Sequence, residues 1–167
     1  MENKESLQPA VDKLKELVNV GDVCMFTTLA SDSKITTRPM TTAGIDEEAN
    51  LWFFTNEFSE TIHEVSGDSL VHLMYANPSK NKYVHVRGNC IVVINREKMK
   101  ALWTPFMAAW FPHGLDDPKL CLVKVMTQEA DFWNNSSSKV VVGFNILKAM
   151  VTGNKYNEGE KGKLTLN

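Results

Sequence analysis

Cysteine is scarce: Cys24, Cys90 and Cys121 are the only three in 167 residues. An odd count at wide spacing excludes a disulfide framework. Each lies in an apolar, strand-like run and reads as a small core residue. Long apolar runs are absent too. The longest, Ala101–Phe111, is about half of what a membrane span needs and contains Thr104 and Pro105. The start, Met1–Glu5, lacks the basic-then-apolar build of a signal peptide, so a cytoplasmic protein without membrane contact is expected. Neither sign of charge dominates: 18 Lys and Arg face 20 Asp and Glu, a formal charge of −2. Without a basic excess, nucleic acid is not an expected partner. His63, His72, His85 and His113 are scattered and form no CxxC- or HExxH-type pattern, so no metal site is expected. The glycine fingerprints of dinucleotide and P-loop sites are missing. Ser136–Lys139 has the SxxK spacing of acyl-enzymes but none of its partner motifs. Asn134–Ser136 is a glycosylation sequon in form only, and Asp116-Asp117 beside Pro118 reads as a solvated turn.

What is present is enough apolar surface for a core. At 43% apolar residues the chain is too hydrophobic for disorder and of a length for one domain, residues 1–167. Leu7, Val11, Leu14 and Val18 recur at helical spacing, which predicts an amphipathic helix within residues 1–19, stopped near Gly21. Val23–Ala30 and Lys34–Thr42 read as a hairpin, Gly44–Asn50 as a polar turn, and Leu51–Thr55 as a short apolar strand. Ser59 is a fitting N-cap for a helix running to Gly67. Leu70–Ala76 and Lys82–Asn95 are strands joined by the turn Asn77–Asn81. Gly88, inside the second, predicts a bulge or close backbone approach. Tyr83 and His85 share one face there and read as barrel-surface residues rather than cleft residues. Arg96–Trp110 is helical but holds Pro105, so a kink or two short helices are expected. Leu120–Met126 continues as Ala130–Trp133 across a bulge. Val140–Val151 has the spacing of a last helix, and 154–167 is a tail or short edge strand. The class is α+β, mainly β. Six antiparallel strands with flanking helices are most economically closed into a small barrel.

Three stretches carry the functional signal. Trp103, Phe106, Trp110 and Phe111 crowd one segment, as core or as interface. In Thr36–Thr42, Pro39 demotes the strand to an edge. Its backbone groups are then left to meet a flat heterocycle, and Arg38 offers a fork for a phosphate. In Phe53–Ser59, a strand end feeds a helix start flanked by the hydroxyls of Thr55 and Ser59, a cradle for a phosphate.

In order along the chain, Arg38-Pro39-Met40, Leu51–Thr55, Ser59, Tyr83–Gly88, Leu102-Trp103, Trp110-Phe111-Pro112, Asp117-Pro118 and Phe132-Trp133 resemble the general stress protein 26 group. That group lies within the pyridoxamine 5′-phosphate oxidase-like, FMN-binding split-barrel superfamily. The resemblance spans about Leu7 to Gly153. It implies a six-stranded split barrel and a homodimer with FMN in clefts at the subunit interface. Carried onto this chain, Arg38 holds the phosphate, and the backbone of Pro39, Met40 and Thr41 lines the flavin ring. Phe54 and Thr55 line the cleft, and Ser59 adds a phosphate hydrogen bond. Trp133 reaches the partner's flavin, with Trp103 and Trp110 in the surrounding interface. The implied activity is that of a flavin-dependent oxidoreductase acting on a small molecule. The alternatives are a non-catalytic FMN-binding stress protein and a barrel dimer that has lost FMN or binds another planar ligand such as haem.

Two departures matter. The group's Ser-x-Lys becomes Ser59-Glu60-Thr61, which replaces a charge-assisted phosphate contact by a hydroxyl at Thr61. That loss costs about 1.5–3 kcal/mol of affinity, with His63 a nearby source of charge at lower pH. True pyridoxamine 5′-phosphate oxidases follow the Trp with Arg-x-His; here Asn134–Lys139 stands instead, so that activity is not expected. No residue reads as a catalytic acid or base.

Overall fold

The computed structural model describes residues 2–29, 34–56, 70–134 and 160–166. Within them α1 (Glu2–Leu17) precedes β1 (Val23–Leu29), β2 (Ile35–Ile45), β3 (Leu51–Asn56), β4 (Leu70–Asn77) and β5 (Lys82–Val93). A short α2 (Arg96–Leu102) and two 3₁₀ turns (Pro105–Ala109 and Gly114–Asp116) lead to β6 (Leu120–Asn134) and β7 (Glu160–Thr165). All strand pairings are antiparallel, in the order β3-β2-β1-β4-β5-β6-β7. A further β3–β6 pairing joins the ends and closes β1–β6 into a six-stranded barrel. Both edges of β6 are used: one pairs with β5, and the other with β3 over Leu120–Val125 and with β7 over Glu129–Asn134. No described helix is long and apolar enough to cross a membrane.

Two cores result from this layout. The first fills the barrel around Phe26, Phe53, Leu73, Val86 and Val123 and takes in Leu14, Leu17 and Val18 from α1. The apolar stripe read at helical spacing is therefore the buried face. Phe26 and Phe53 meet edge to face, with centroids 5.5 Å apart. The second core lies outside the barrel wall, where Trp52, Phe54 and Leu122 pack under Met99 and Met107. A strand between two cores buries both faces, which explains the unbroken apolar run of β3: Leu51 to Thr55 are all buried.

Several local expectations meet the structure directly. Pro105 starts a 3₁₀ turn after α2, so the predicted helix is indeed two pieces. β6 is one strand with a register shift: Arg87 faces Glu129 while Gly88 faces Thr127. A Cβ on Gly88 would press on the Met126 carbonyl oxygen, so the close approach read from that glycine is real. The tail is an edge strand from Glu160 to Thr165. It is pinned by Lys163–Glu129 (3.0 Å) and, from α1, by Lys13–Glu160 (2.9 Å). One boundary is corrected. β2 does not end at Thr42 but runs through Gly44 to Ile45, which leaves only residues 46–50 to the turn. Gly44 is a packing residue rather than a turn residue: a Cβ there would collide with Leu102 of α2. The expected helices after Ser59 and over Val140–Val151 lie outside the described residues.

Candidate functional site

β2 and β3 are paired over only part of their length. Thr42–Ile45 joins Leu51–Phe53, with a register shift between Thr42 and Gly44. Beyond that, Arg38–Thr41 stays with β1, while Phe54–Asn56 stays with β6. The strands part, and a cleft of about 370 Å³ opens between them. Arg38, Pro39, Met40 and Thr41 form one wall. Phe54, Thr55 and Asn56 form the other, and Met107, Trp110 and Phe111 close the end. Along Arg38–Thr41 the described residues supply a strand neighbour on the β1 side alone. Such an edge tolerates a residue without an N–H, which is where Pro39 sits.

The described lining of the cleft is largely apolar, with one charge. Phe54 is wedged between Trp103 (5.4 Å between centroids, edge to face) and Phe111 (6.1 Å). Trp110 is 54% exposed and braced by Phe106 at 4.8 Å. The crowded aromatic segment therefore divides: Trp103 packs inward against the second core, whereas Phe106 and Trp110 show their rings to the outside. Behind the far wall the buried Cys121 thiol donates to the Thr55 carbonyl oxygen at 3.6 Å. Arg38 donates from Nη2 to Thr28 Oγ1 at 3.2 Å, which anchors one side of the guanidinium. It is the cleft's sole ionisable side chain among the described lining residues. The described thiols are all buried. Burial pushes the Cys24 thiol up to about 12, far from the range of a nucleophilic thiolate.

Of the residues singled out from sequence, Arg38, Pro39, Met40, Thr41, Phe54, Thr55 and Trp110 come together here. Ser59, Thr61 and His63 lie outside the described residues. Trp133 is not in this cleft within one chain. It sits on the outer barrel face, opposite Tyr83. Asn56, Met107 and Phe111 also line the cleft, although the sequence did not mark them as cofactor contacts. Asn56 directly succeeds Phe54-Thr55, and Met107 stands three residues before Trp110. Both were within reach of the same spacing argument.

The outer face has its own composition. Cross-strand partners on one face form rows. Pro39, Met25, Met74, His85, Asp131 and Lys163 make one row; Thr37, Thr27, His72, Arg87 and Glu129 make the next. Val23, Met25, Met74, Tyr83 and Trp133 are each 40–55% exposed on it. Tyr83 and His85 are thus surface residues of the barrel, as their alternation suggested.

A larger cavity, about 580 Å³, lies near the opposite end of β3, between α1, the β2–β3 turn and the β6 bulge. Several of its polar groups are tied to partners outside the lining. Glu47 pairs with Lys15 (2.7 Å), and Gln8 donates to Asp12. Asn50 donates to Asp46, and Thr127 to the Ala49 carbonyl.

A barrel closed by β3–β6 but split between β2 and β3 is a specific arrangement. The family described as pyridoxamine 5′-phosphate oxidase like matches residues 9–157. The chain belongs to that family. Among solved structures, one assigned to general stress protein 26 from Jannaschia sp. CCS1 superposes with a TM-score of 0.71 at 20% identity, covering 98% of this chain and 99% of that one. The general stress FMN/FAD-binding protein of Xanthomonas citri gives 0.64 at 24% identity, over 80% and 92%. At these identities the likeness is one of fold. Protein bli-3 of Neurospora crassa is 22% identical over 92% of this chain and 78% of its own length.

Proposed function

We propose that this member of the pyridoxamine 5′-phosphate oxidase-like family binds FMN in the cleft between β2 and β3 and acts, as a homodimer, as a flavin-dependent oxidoreductase on a small molecule. The observation that carries this reading is the parting of the two strands. It sets the Arg38–Thr41 backbone edge against an aromatic wall, beside one guanidinium. A flat ring needs polar partners at its rim and apolar contact on its faces. The strand edge supplies the first, and Phe54 and Trp110 the second. Arg38 supplies charge for a phosphate.

Bound FMN would bring the electron or hydride transfer. This chain's described residues bind and orient the ring and keep water from it. Arg38 is the sole ionisable group in the described lining, so the described residues supply no titratable acid or base there. That composition suits simple reduction and reoxidation of a flavin. The same observation leaves room for a second reading, a flavin protein without turnover. Bleaching by NADH or NADPH without air separates the two.

The homodimer reading is supported by the large apolar side chains exposed on the outer face, Val23, Met25, Met74, Tyr83 and Trp133. Tyr83 and Trp133 are paired across β5 and β6, stand outside the described lining of their own chain's cleft, and are exposed for contact with a second copy. The test of the function is a titration with FMN and with riboflavin. We expect one FMN per chain, bound at least about ten-fold tighter than riboflavin because the phosphate meets Arg38. Equal affinity for the two would remove the phosphate from Arg38, and absence of saturation would remove the flavin.

A further inference from the structure

β1 and β2 run antiparallel, with Phe26 opposite Arg38 and Thr28 opposite Thr36. Side chains two apart on a strand share a face. Phe26, Thr28, Thr36 and Arg38 therefore stand on one side of this pair. That side is the inner one, since Phe26 belongs to the barrel core and Thr28 is only 1% exposed. Thr28 and Arg38 are diagonal neighbours there, at a separation that a long side chain can span. Arg38 spans it and places Nη2 3.2 Å from Thr28 Oγ1.

Chemistry fixes the direction of each bond. A guanidinium has N–H donors and no acceptor, so Arg38 donates and Thr28 Oγ1 accepts. The Thr28 hydroxyl proton turns the other way, to the Thr36 carbonyl oxygen 3.5 Å away. The result is a relay from the β2 backbone, through a buried hydroxyl, to the charged group of the cleft lining. Its backbone end is held in the β1–β2 ladder.

Packing does not ask for this hydroxyl. Val has the same β-branched outline as Thr and would fill a buried strand position beside Phe26. A buried hydroxyl is costly unless it is bonded. Other buried polar side chains bond to parts of the framework: Thr42 to the Tyr75 hydroxyl (2.8 Å), Asn50 to Asp46 (3.0 Å) and Thr127 to the Ala49 carbonyl oxygen (2.7 Å). Thr28 bonds to a side chain of the cleft. An arginine has much rotamer freedom to lose when it grips an anion. The Thr28 contact moves part of that loss from the binding step to the folding step, which is preorganisation.

We propose that Thr28 is a positioning residue which, by holding the Arg38 guanidinium in place ahead of the ligand, sets the preference of the cleft for a phosphorylated flavin over riboflavin. This rests on the flavin reading above and names the residue behind its phosphate selectivity. Thr28 stands outside the described lining and acts through Arg38.

The full-length wild type and Thr28→Val, which keeps the outline and removes the acceptor, are titrated with FMN and with riboflavin by fluorescence. The wild type is expected to prefer FMN by at least about ten-fold. Thr28→Val should cut that preference about three- to ten-fold by weakening FMN, with riboflavin affinity held within about two-fold. Thr28→Ser keeps the hydroxyl and should keep the preference. In an Arg38→Ala background, Thr28→Val should change FMN affinity by less than about two-fold. A wild type without the preference, or without saturation by FMN, would overturn the flavin reading itself. A preference retained in Thr28→Val, an equal loss for both flavins, or the same loss in the Arg38→Ala background would overturn the positioning role and leave the phosphate at Arg38. Nitrogen NMR of the wild type reads the relay without any variant. Hindered rotation about the Arg38 Cζ–Nη2 bond is expected before FMN is added, and a freely rotating guanidinium would refute the preorganisation.

Discussion

The two halves of the β2–β3 pair are built from neighbouring residues and behave as opposites. Where the strands are joined, Thr42 to Ile45 and Leu51 to Phe53, the residues are almost entirely buried. The connecting turn is knotted around Asp46, whose carboxylate accepts bonds from the Asn50 side chain (3.0 Å), the Trp52 indole (3.0 Å) and the Asn50 backbone (2.9 Å). Where the strands part, the same two chains present a backbone edge, one guanidinium and aromatic rings to a cleft. One half closes the barrel wall. The other borders the cleft. Stability and binding are thus separable within about a dozen residues, and substitutions should sort accordingly.

The largest effect belongs to the joined half. Phe53→Ala removes the ring packed on Phe26 inside the barrel and should destabilise the fold by about 3–5 kcal/mol, read by denaturant unfolding. The protein that remains folded should bind FMN as before. A selective loss of binding would mean that the halves are coupled. Next is Arg38→Ala in the parted half. It should weaken FMN by about 1.5–3 kcal/mol, ten-fold or more, in a fluorescence titration. Its Thr28 bond bears on stability by only about 1 kcal/mol. Asp46→Asn comes third, costing about 1–2 kcal/mol of stability with FMN affinity unchanged. Burial alone would raise the Asp46 carboxyl. The bonds from Asn50, Trp52 and the Asn50 and Glu48 backbone outweigh it and hold the group below the ordinary carboxylate range. A depressed carboxyl stabilises the fold above its ordinary value and loses that contribution as pH falls through the folded value. The gap between wild type and Asp46→Asn should therefore close below about pH 4, in unfolding curves measured across pH. The smallest effect on stability is that of Trp110→Ala, under about 1 kcal/mol because the ring is mostly exposed. It should still weaken FMN several-fold in the same titration. An unchanged affinity would strip the cleft of that wall.

Much of this division was legible in the chain. Pro39 in an otherwise strand-like run marked an edge or a bulge, and among the described strands only β1 pairs with it. The apolar run Leu51–Thr55 marked a short strand, which the structure buries on both faces, and Gly88 marked a bulge or close backbone approach. Those residues carry local constraints that any fold must respect. Gly44 misled because a glycine needed for close packing against Leu102 is written like a glycine needed for a turn. Only the tertiary structure tells them apart. The aromatic segment could not be divided from sequence, since Trp103 and Trp110 are the same residue type seven positions apart. Which one is buried depends on where Pro105 breaks the helix. Thr28 and Arg38 touch because the β1–β2 register sets them diagonally across two strands, which the sequence around either residue does not announce.

A flavin ring bound beside Arg38–Thr41 would lie in the gap where β3 has parted from β2. Hydrogen–deuterium exchange with and without saturating FMN reads that occupancy at the backbone itself. New protection is expected in the peptide spanning Arg38–Thr41 and none over Thr42–Ile45, which β3 already protects. Protection appearing instead at Glu47–Asn50 and Met126–Gln128 would move the ligand to the cavity under α1 and refute the assignment of the cleft.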